Sequence, residues 1–341
     1  LASMDRTLTG AGARLLATRL AAPLTDPHAI NSRLDDVARL ESDEPLRGDL
    51  RTALRNCPDM ERALTRCGLD RGGPRDLAAI AAALGRTKVI RAELEAQQGL
   101  PPGLQQSAQS LGHHQEFVDK LDAALGPELP VLARDGGFIR AGYSEKLDEL
   151  RGLRDESRRH VSALQSRYAD ETGVAKLKIR HNNVLGYYIE VTATQADRLL
   201  ADEAQFMHRQ TLASAMRFST TELGELQRKI SEAGDQAVRL ELTLFDDMIA
   251  EARLRADDIA RAAQALAELD VAAALAELAA QAGYCRPVVD DSLAFAIVGG
   301  RHGVVEAALS KAGQGPFVPN DCDMGAGHRL WLLTGPNMAG K

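Results

Sequence analysis

The last seven residues carry the sharpest chemical signal in this sequence. Gly335-Pro336-Asn337-Met338-Ala339-Gly340-Lys341 fits G-x-x-x-x-G-K, and the apolar run Arg329-Leu330-Trp331-Leu332-Leu333-Thr334 leads straight into it. A strand that delivers a tight glycine-bounded loop aims backbone N–H groups at phosphates. The lysine then sets its ammonium beside the β- and γ-phosphates. The bare pattern also arises by chance; the strand before it is what favours a nucleoside triphosphate. The Ser or Thr that would ligand Mg²⁺, the helix whose N-terminus would face the phosphates and a Walker-B carboxylate do not occur after Lys341 in this sequence. The expectation is therefore a chain that does not hydrolyse ATP appreciably by itself. Mg-dependent phosphate release above that of a Lys341→Ala control would contradict it. Leu1 at one end and Lys341 inside a motif at the other read as a chain cut at both ends.

A second cluster suits phosphates of another kind. From Gly173 to Arg217 there are six Lys or Arg against four acids, an excess of two in a chain of net charge −7. Lys176, Lys178 and Arg180 alternate, so a strand would point them to one face, a surface for sequence-independent phosphate contact. Solvated strand residues with no ligand are the bland alternative.

The elements that must carry these residues follow from periodicity. Leu15, Leu16, Leu20 and then Ile30, Leu34, Val37, Leu40 recur at helical spacing, broken by Pro23 and Pro27, with Thr25 and Asp26 offering a cap. Helical stretches are expected over 50–67 and 74–98, then a loop at 99–103. From Ser144 to Tyr168 the apolar positions are Leu147, Leu150, Val161, Leu164 and Tyr168 around a charged centre, a helix exposed on most sides. Its partner is Leu223, Leu226, Ile230, Ala233, Ala237, Leu240, Leu244 and Met248, a coiled-coil seam. Between them the period drops to two. Strands at 176–180 and 187–192 joined through Asn182-Asn183 and Gly186 predict a hairpin, with further strands near 206–212 and 216–219. The reading is a small mixed β domain at the tip of a two-helix stalk, each helix ~30 to 40 Å long. After an Ala-rich helix to about Ala282, apolar runs at 286–289, 293–298 and 329–334 predict the opening strands of an α/β domain.

At 341 residues, with 4% aromatics and 26% charged residues, the chain is a mainly helical, multi-unit protein. The net −7 argues against a coat of nucleic acid but leaves room for one local basic surface. Cys57, Cys67, Cys285 and Cys322 lack C-x-x-C spacing and read as reduced packing thiols. No apolar stretch spans a bilayer and no signal segment opens the chain, which predicts a cytoplasmic protein with no membrane partner. His113, His114 and His302 have no partner at metal-ligand spacing, so no metal site is assigned.

Several stretches together resemble the MutS family. Thr334 to Lys341 is similar to its TGPNM-(G/A)-GK loop, and Gly186-Tyr187-Tyr188-Ile189-Glu190-Val191-Thr192 to its GYYIEVT strand. Arg209-Gln210-Thr211-Leu212, Arg217-Phe218 and Glu222-Leu223 follow its RQTL, RF and EL segment. Asp5-Arg6-Thr7 with Gly12-Ala13-Arg14-Leu15-Leu16 resembles its core opening. Gly303 departs, since the family usually has proline after the equivalent of His302. Nothing corresponds to the N-terminal mismatch-reading domain or the connector.

The resemblance implies a long-helix lever and core with a clamp inserted at the tip, plus the start of a P-loop ATPase domain. The bounds are 1–169 for the core and first lever helix, 170–220 for the clamp, 221–283 for the second lever helix and return to the core, and 284–341 for the truncated ATPase part. It implies ATP and Mg²⁺ in the intact protein, phosphates at Gly335, Pro336, Asn337, Met338, Ala339, Gly340 and Lys341, and adenine near Phe317, Val318 and Asn320. It favours backbone contact with double-stranded DNA by Lys176, Lys178, Arg180, Asn182, Asn183 and Arg209. It further implies a homodimer, a MutL-type repair partner, a nucleoid-associated location and ATP-dependent binding of mismatched duplex. A family member acting on recombination intermediates and a coiled-coil chromosome-structuring ATPase are the alternatives. In the latter the P-loop generally precedes the stalk, the reverse of the order here.

Overall fold

A computed structural model describes residues 2–335 apart from Asn183, Glu203, Ala326, His328 and Leu333. In chain order the elements are α1 (Gly10–Ala21), α2 (Pro27–Ser42), α3 (Glu44–Leu54), α4 (Met60–Gly68), α5 (Pro74–Glu95), α6 (Pro102–Ser110), α7 (Gln115–Ala124), α8 (Glu145–Thr172), β1 (Lys178–Asn182), β2 (Gly186–Thr192), α9 (Asp197–Leu200), β3 (Met207–Thr211), β4 (Ala215–Ser219), α10 (Thr221–Leu254), α11 (Ala256–Ala282), β5 (Ala296–Gly300), α12 (Gly303–Ala312) and β6 (Asn320–Asp323). The protein is mainly helical with a small antiparallel sheet. Two compact units divide it. One comprises Leu1–Leu64, Ala82–Gln115 and Arg255–Lys341; the other comprises Thr65–Ala81 and Glu116–Leu254.

The first unit is built around α11, whose alanine-rich surface lets α1, α2, α3 and α6 approach closely. Its buried Asp270 accepts from the backbone N–H of Leu8 and Thr9 at 2.9 and 2.8 Å and from the Thr9 hydroxyl at 2.7 Å. Thr9 in turn caps α1. A Cβ on Gly12 would meet the Asp270 carboxylate at 2.2 Å, so only glycine fits there. Asp26 caps α2 with Pro27 in its first turn, as the sequence predicts. The helical stretch expected over 50–67 is instead two helices, interrupted ahead of α4 around Pro58, which lacks the amide to continue the ladder. Arg47 is buried and donates to the carbonyls of Leu40 and Glu41 at the end of α2 and to Glu277 at 2.9 Å.

Past α11 the sequence-based strands fare differently. Among the described residues, the run at 293–298 overlaps a strand, β5, and its antiparallel partner is β6, which the sequence reading did not foresee. The runs at 286–289 and 329–332 are not strands, and Val288, Leu293, Leu330 and Leu332 are all more than 80% exposed. A strand needs a hydrogen-bonding neighbour, and these runs have none among the described residues. The unusual Gly303 has a local cause: a Cβ there would stand 2.3 Å from the Tyr284 hydroxyl. His302 still caps α12, its Nδ1 accepting from Val305 N–H at 3.3 Å.

In the second unit α8 and α10 lie against each other as the stalk. They have 28 and 34 residues, roughly 42 and 51 Å at 1.5 Å per residue and longer than the sequence reading. Leu147, Val161, Leu164 and Tyr168 of α8 are buried as expected. The α10 seam follows Leu223, Leu226, Ile230, Ala233 and Ala237, then departs from expectation to Glu241 and Phe245 rather than Leu240 and Leu244. Phe245 meets Phe138 edge to face at 5.8 Å, and Glu241 accepts from Arg151 at 2.5 Å and from Gly137 N–H. The 133–140 strap thus supplies partners that helical periodicity alone cannot reveal.

Of the cysteines, Cys57 and Cys67 are buried packing thiols whose ionisation burial pushes up to about 11. Cys285 is exposed.

Candidate nucleic-acid interface

The sheet between α8 and α10 has strand order β1-β2-β4-β3 and is antiparallel throughout. Alternation fixes its two faces. Ile189, Val191 and Phe218, with Ile179, Tyr187 and Met216, join a core with Val161, Leu164 and Tyr168 of α8 and Leu223, Leu226 and Ile230 of α10. Each fully buried large aliphatic or aromatic side chain there contributes roughly 1.5 to 3 kcal/mol. The stalk helices also hold the strands by polar contacts. Gln165 of α8 accepts from Ile179 N–H at 2.8 Å, and Gln227 of α10 accepts from Tyr187 N–H at 3.1 Å. Tyr168 OH meets Thr220 Oγ1 at 3.0 Å, and that Thr220 oxygen accepts from Leu223 N–H at the start of α10.

The opposite face carries the charge. Lys178 and Arg180 on β1, Glu190 on β2 and Arg217 on β4 share the outward phase, with Lys178 paired across from Glu190 and Glu190 from Arg217. Arg180 Nε lies 3.4 Å from Glu190 and Arg217 Nε 3.2 Å from it, while Lys178 is exposed. Arg217 also lies over the Tyr188 ring at 4.5 Å, so of the two adjacent tyrosines Tyr187 joins the core and Tyr188 is covered by a guanidinium.

The strand expected from Lys176 begins instead at Lys178. Lys176 lies in a turn that Leu177 N–H closes onto the Val174 carbonyl at 2.9 Å, so it is exposed but off the alternating face. Arg209 sits at a β-bulge, where the register of β3 slips between His208 and Gln210, and is exposed on an edge strand. A bulge re-aims the extra side chain, which alternation could not foresee. Asn182 is partly occupied: its side-chain oxygen accepts from Val184 and Leu185 N–H at 3.0 and 2.7 Å, shaping the turn, and its amide group remains a donor. Gly186 takes φ +67° at the far side of this turn, where a side chain would press on Gln227. Asn183 lies outside the described residues.

Of the nucleotide residues, Phe317 is half-buried, while Val318 and Asn320 are exposed, Asn320 opening β6. Gly335 is described, and Pro336, Asn337, Met338, Ala339, Gly340 and Lys341 lie outside the described residues. Among the described residues no helix is long and apolar enough to cross a membrane.

What sequence reading underrated is Glu190, Arg217 and Gln210 as one group. The signal was present, since Glu190 and Arg217 occupy the outward phase of their strands, but only the register brings them together.

The family described as MutS domain III matches residues 1–276. The chain is 52% identical, along its whole length, to the "DNA mismatch repair protein MutS" of Nitrobacter winogradskyi, covering 40% of that protein. It is also 52% identical to the protein of that name from Nitrobacter hamburgensis, covering 38% of it. The chain thus spans about two fifths of the length of these relatives, and it belongs to the MutS family of DNA mismatch repair proteins.

Proposed function

We propose that this chain supplies the lever and the non-specific DNA clamp of a protein that binds mismatched duplex DNA in an ATP-dependent way. The observation that carries this reading is the outward face of the four-stranded sheet, where Lys178, Arg180 and Arg217 are gathered, with Arg209 bulged from an edge. Lys176 and Asn182 extend the surface at the ends of β1, and Asn183, outside the described residues, is assigned to it from the family resemblance alone. Cations spread over a small sheet neutralise backbone phosphates and release counterions without reading bases. In domain terms, 170–220 is the clamp, 1–169 and 221–283 the core and lever helices, and 284–341 the start of the ATPase domain.

In the intact protein, ATP with Mg²⁺ occupies the loop at 335–341, with adenine against Phe317, Val318 and Asn320. Stiff paired helices such as α8 and α10 suit transmission from that site to the clamp. A homodimer that hands on to a MutL-type partner, acting on the nucleoid, completes the reading.

Fluorescence anisotropy with the full chain tests it. Binding to a labelled duplex is expected to be weak, steeply salt-dependent and equal for matched and mismatched DNA. Lys178→Gln with Arg209→Gln lowers affinity and flattens log K against log salt by about 0.9 per lost phosphate contact. A clear mismatch preference, or a slope unmoved by the double substitution, would refute the clamp assignment.

A further inference from the structure

The outward face carries an acid where a phosphate-binding surface is least served by one. Glu190 stands between two arginines from the strands on either side, its Oε1 3.4 Å from Arg180 Nε and its Oε2 3.2 Å from Arg217 Nε. Arg217 is held from further directions: it donates to Gln210 Oε1 at 2.9 Å and covers the Tyr188 ring. The side chains of Glu190 and Arg217 are each 19% exposed, against 53% for Arg180. The carboxylate is therefore shielded from water by the cations it holds, and both its oxygens are engaged.

Two consequences follow for an incoming phosphate. It must compete with Glu190 for Arg217 and for part of Arg180, and it meets the repulsion of a fixed negative charge beneath them. Lys178, directly across from Glu190 on β1, is exposed and is not clasped in the Arg180–Glu190–Arg217 group. The cations of one face are thus unequal, and Glu190 makes them so.

We propose that Glu190 is a built-in counter-charge that tunes the clamp's grip, holding Arg180 and Arg217 back so that the sheet binds duplex backbone weakly enough to move along it. This rests on the reading of the sheet as a DNA-contacting surface, and Glu190 acts through the arginines as a positioning residue.

Salt-dependent duplex binding by the full chain tests the idea, with wild type, Glu190→Gln, Lys178→Gln, Arg180→Gln and the Lys178→Gln, Arg209→Gln pair. Glutamine keeps the shape and removes the charge. Glu190→Gln is expected to raise affinity about tenfold at low salt. It is also expected to steepen the slope of log K against log salt by roughly 1, a readout that a merely structural role would not move. If wild type binds no better than the Lys178, Arg209 pair, the clamp reading itself fails. If that pair weakens binding while Glu190→Gln leaves affinity unchanged or lowers it, the counter-charge is overturned and the clamp reading stands. A second comparison needs no change at Glu190: Arg180→Gln should cost severalfold less affinity than Lys178→Gln, and equal losses would also overturn the proposal.

Discussion

Two carboxylates, Glu241 buried and Asp36 half-buried, show how differently an acid drawn away from water can act. Glu241 is 3% exposed and holds Arg151 of α8 and the Gly137 amide, while Arg151 donates also to the Ile139 carbonyl at 2.9 Å. Removing one member of such a group strands the others in low dielectric. Glu241→Ala is expected to destabilise by about 2 to 3 kcal/mol in denaturant melts; a loss below about 0.5 kcal/mol would show the pair to be incidental. Asp36 is the reverse case. Burial pushes its carboxyl up to about 6, with Asp35 and Glu268 adding to the shift, although it accepts from Leu104 N–H at 3.0 Å. A folded pKa above the unfolded value of ~4 favours the protonated form. Its contribution to stability is present below pH ~4 and lost as pH rises through 6. Asp36→Asn keeps an acceptor for Leu104 and should stabilise the chain at pH 7.5 by on the order of 1 kcal/mol, allowing for partial exposure, with the gain fading toward pH 4. A gain constant with pH would contradict this assignment. Neither acid was legible in the sequence, because nothing local marks a charged residue as drawn away from water.

At the scale of elements, what the sequence discloses depends on whether a pattern is closed locally. The stalk helices are legible because Leu223, Leu226 and Ile230 repeat at a spacing only a helix explains, and the hairpin because Asn182 and Gly186 shape its turn. The seam is misread at Leu240 and Leu244, where Glu241 and Phe245 turn inward because their partner is a strap more than a hundred residues earlier, and Met248 is buried as expected. Lys176 is misplaced because alternation does not say where a strand starts. The runs around Val288 and Leu330 are misread because a strand needs a neighbour as well as a composition. One element boundary is testable by itself. Thr220 caps α10 through Leu223 N–H and holds the Tyr168 hydroxyl, so Thr220→Ala should cost about 1 to 2 kcal/mol, and Thr220→Ser much less. Equal losses for the two would assign the role to the methyl group instead.

Across the whole molecule, a net charge of −7 coexists with a cationic sheet face because the positive residues are grouped rather than numerous. Grouping is a matter of register, which is why the chemistry of the face was half-visible in the sequence: the cations could be counted, but the acid among them could not be placed. The family match covers residues 1–276, and therefore the whole of the sheet and both stalk helices. The central claim is that this face is where duplex DNA lies. Lysine acylation followed by peptide mass mapping, with and without duplex, tests it most directly. Lys178, with Lys176 beside it, should lose reactivity on adding DNA while Lys88 and Lys311 keep theirs; protection of those two with Lys178 still fully reactive would contradict it.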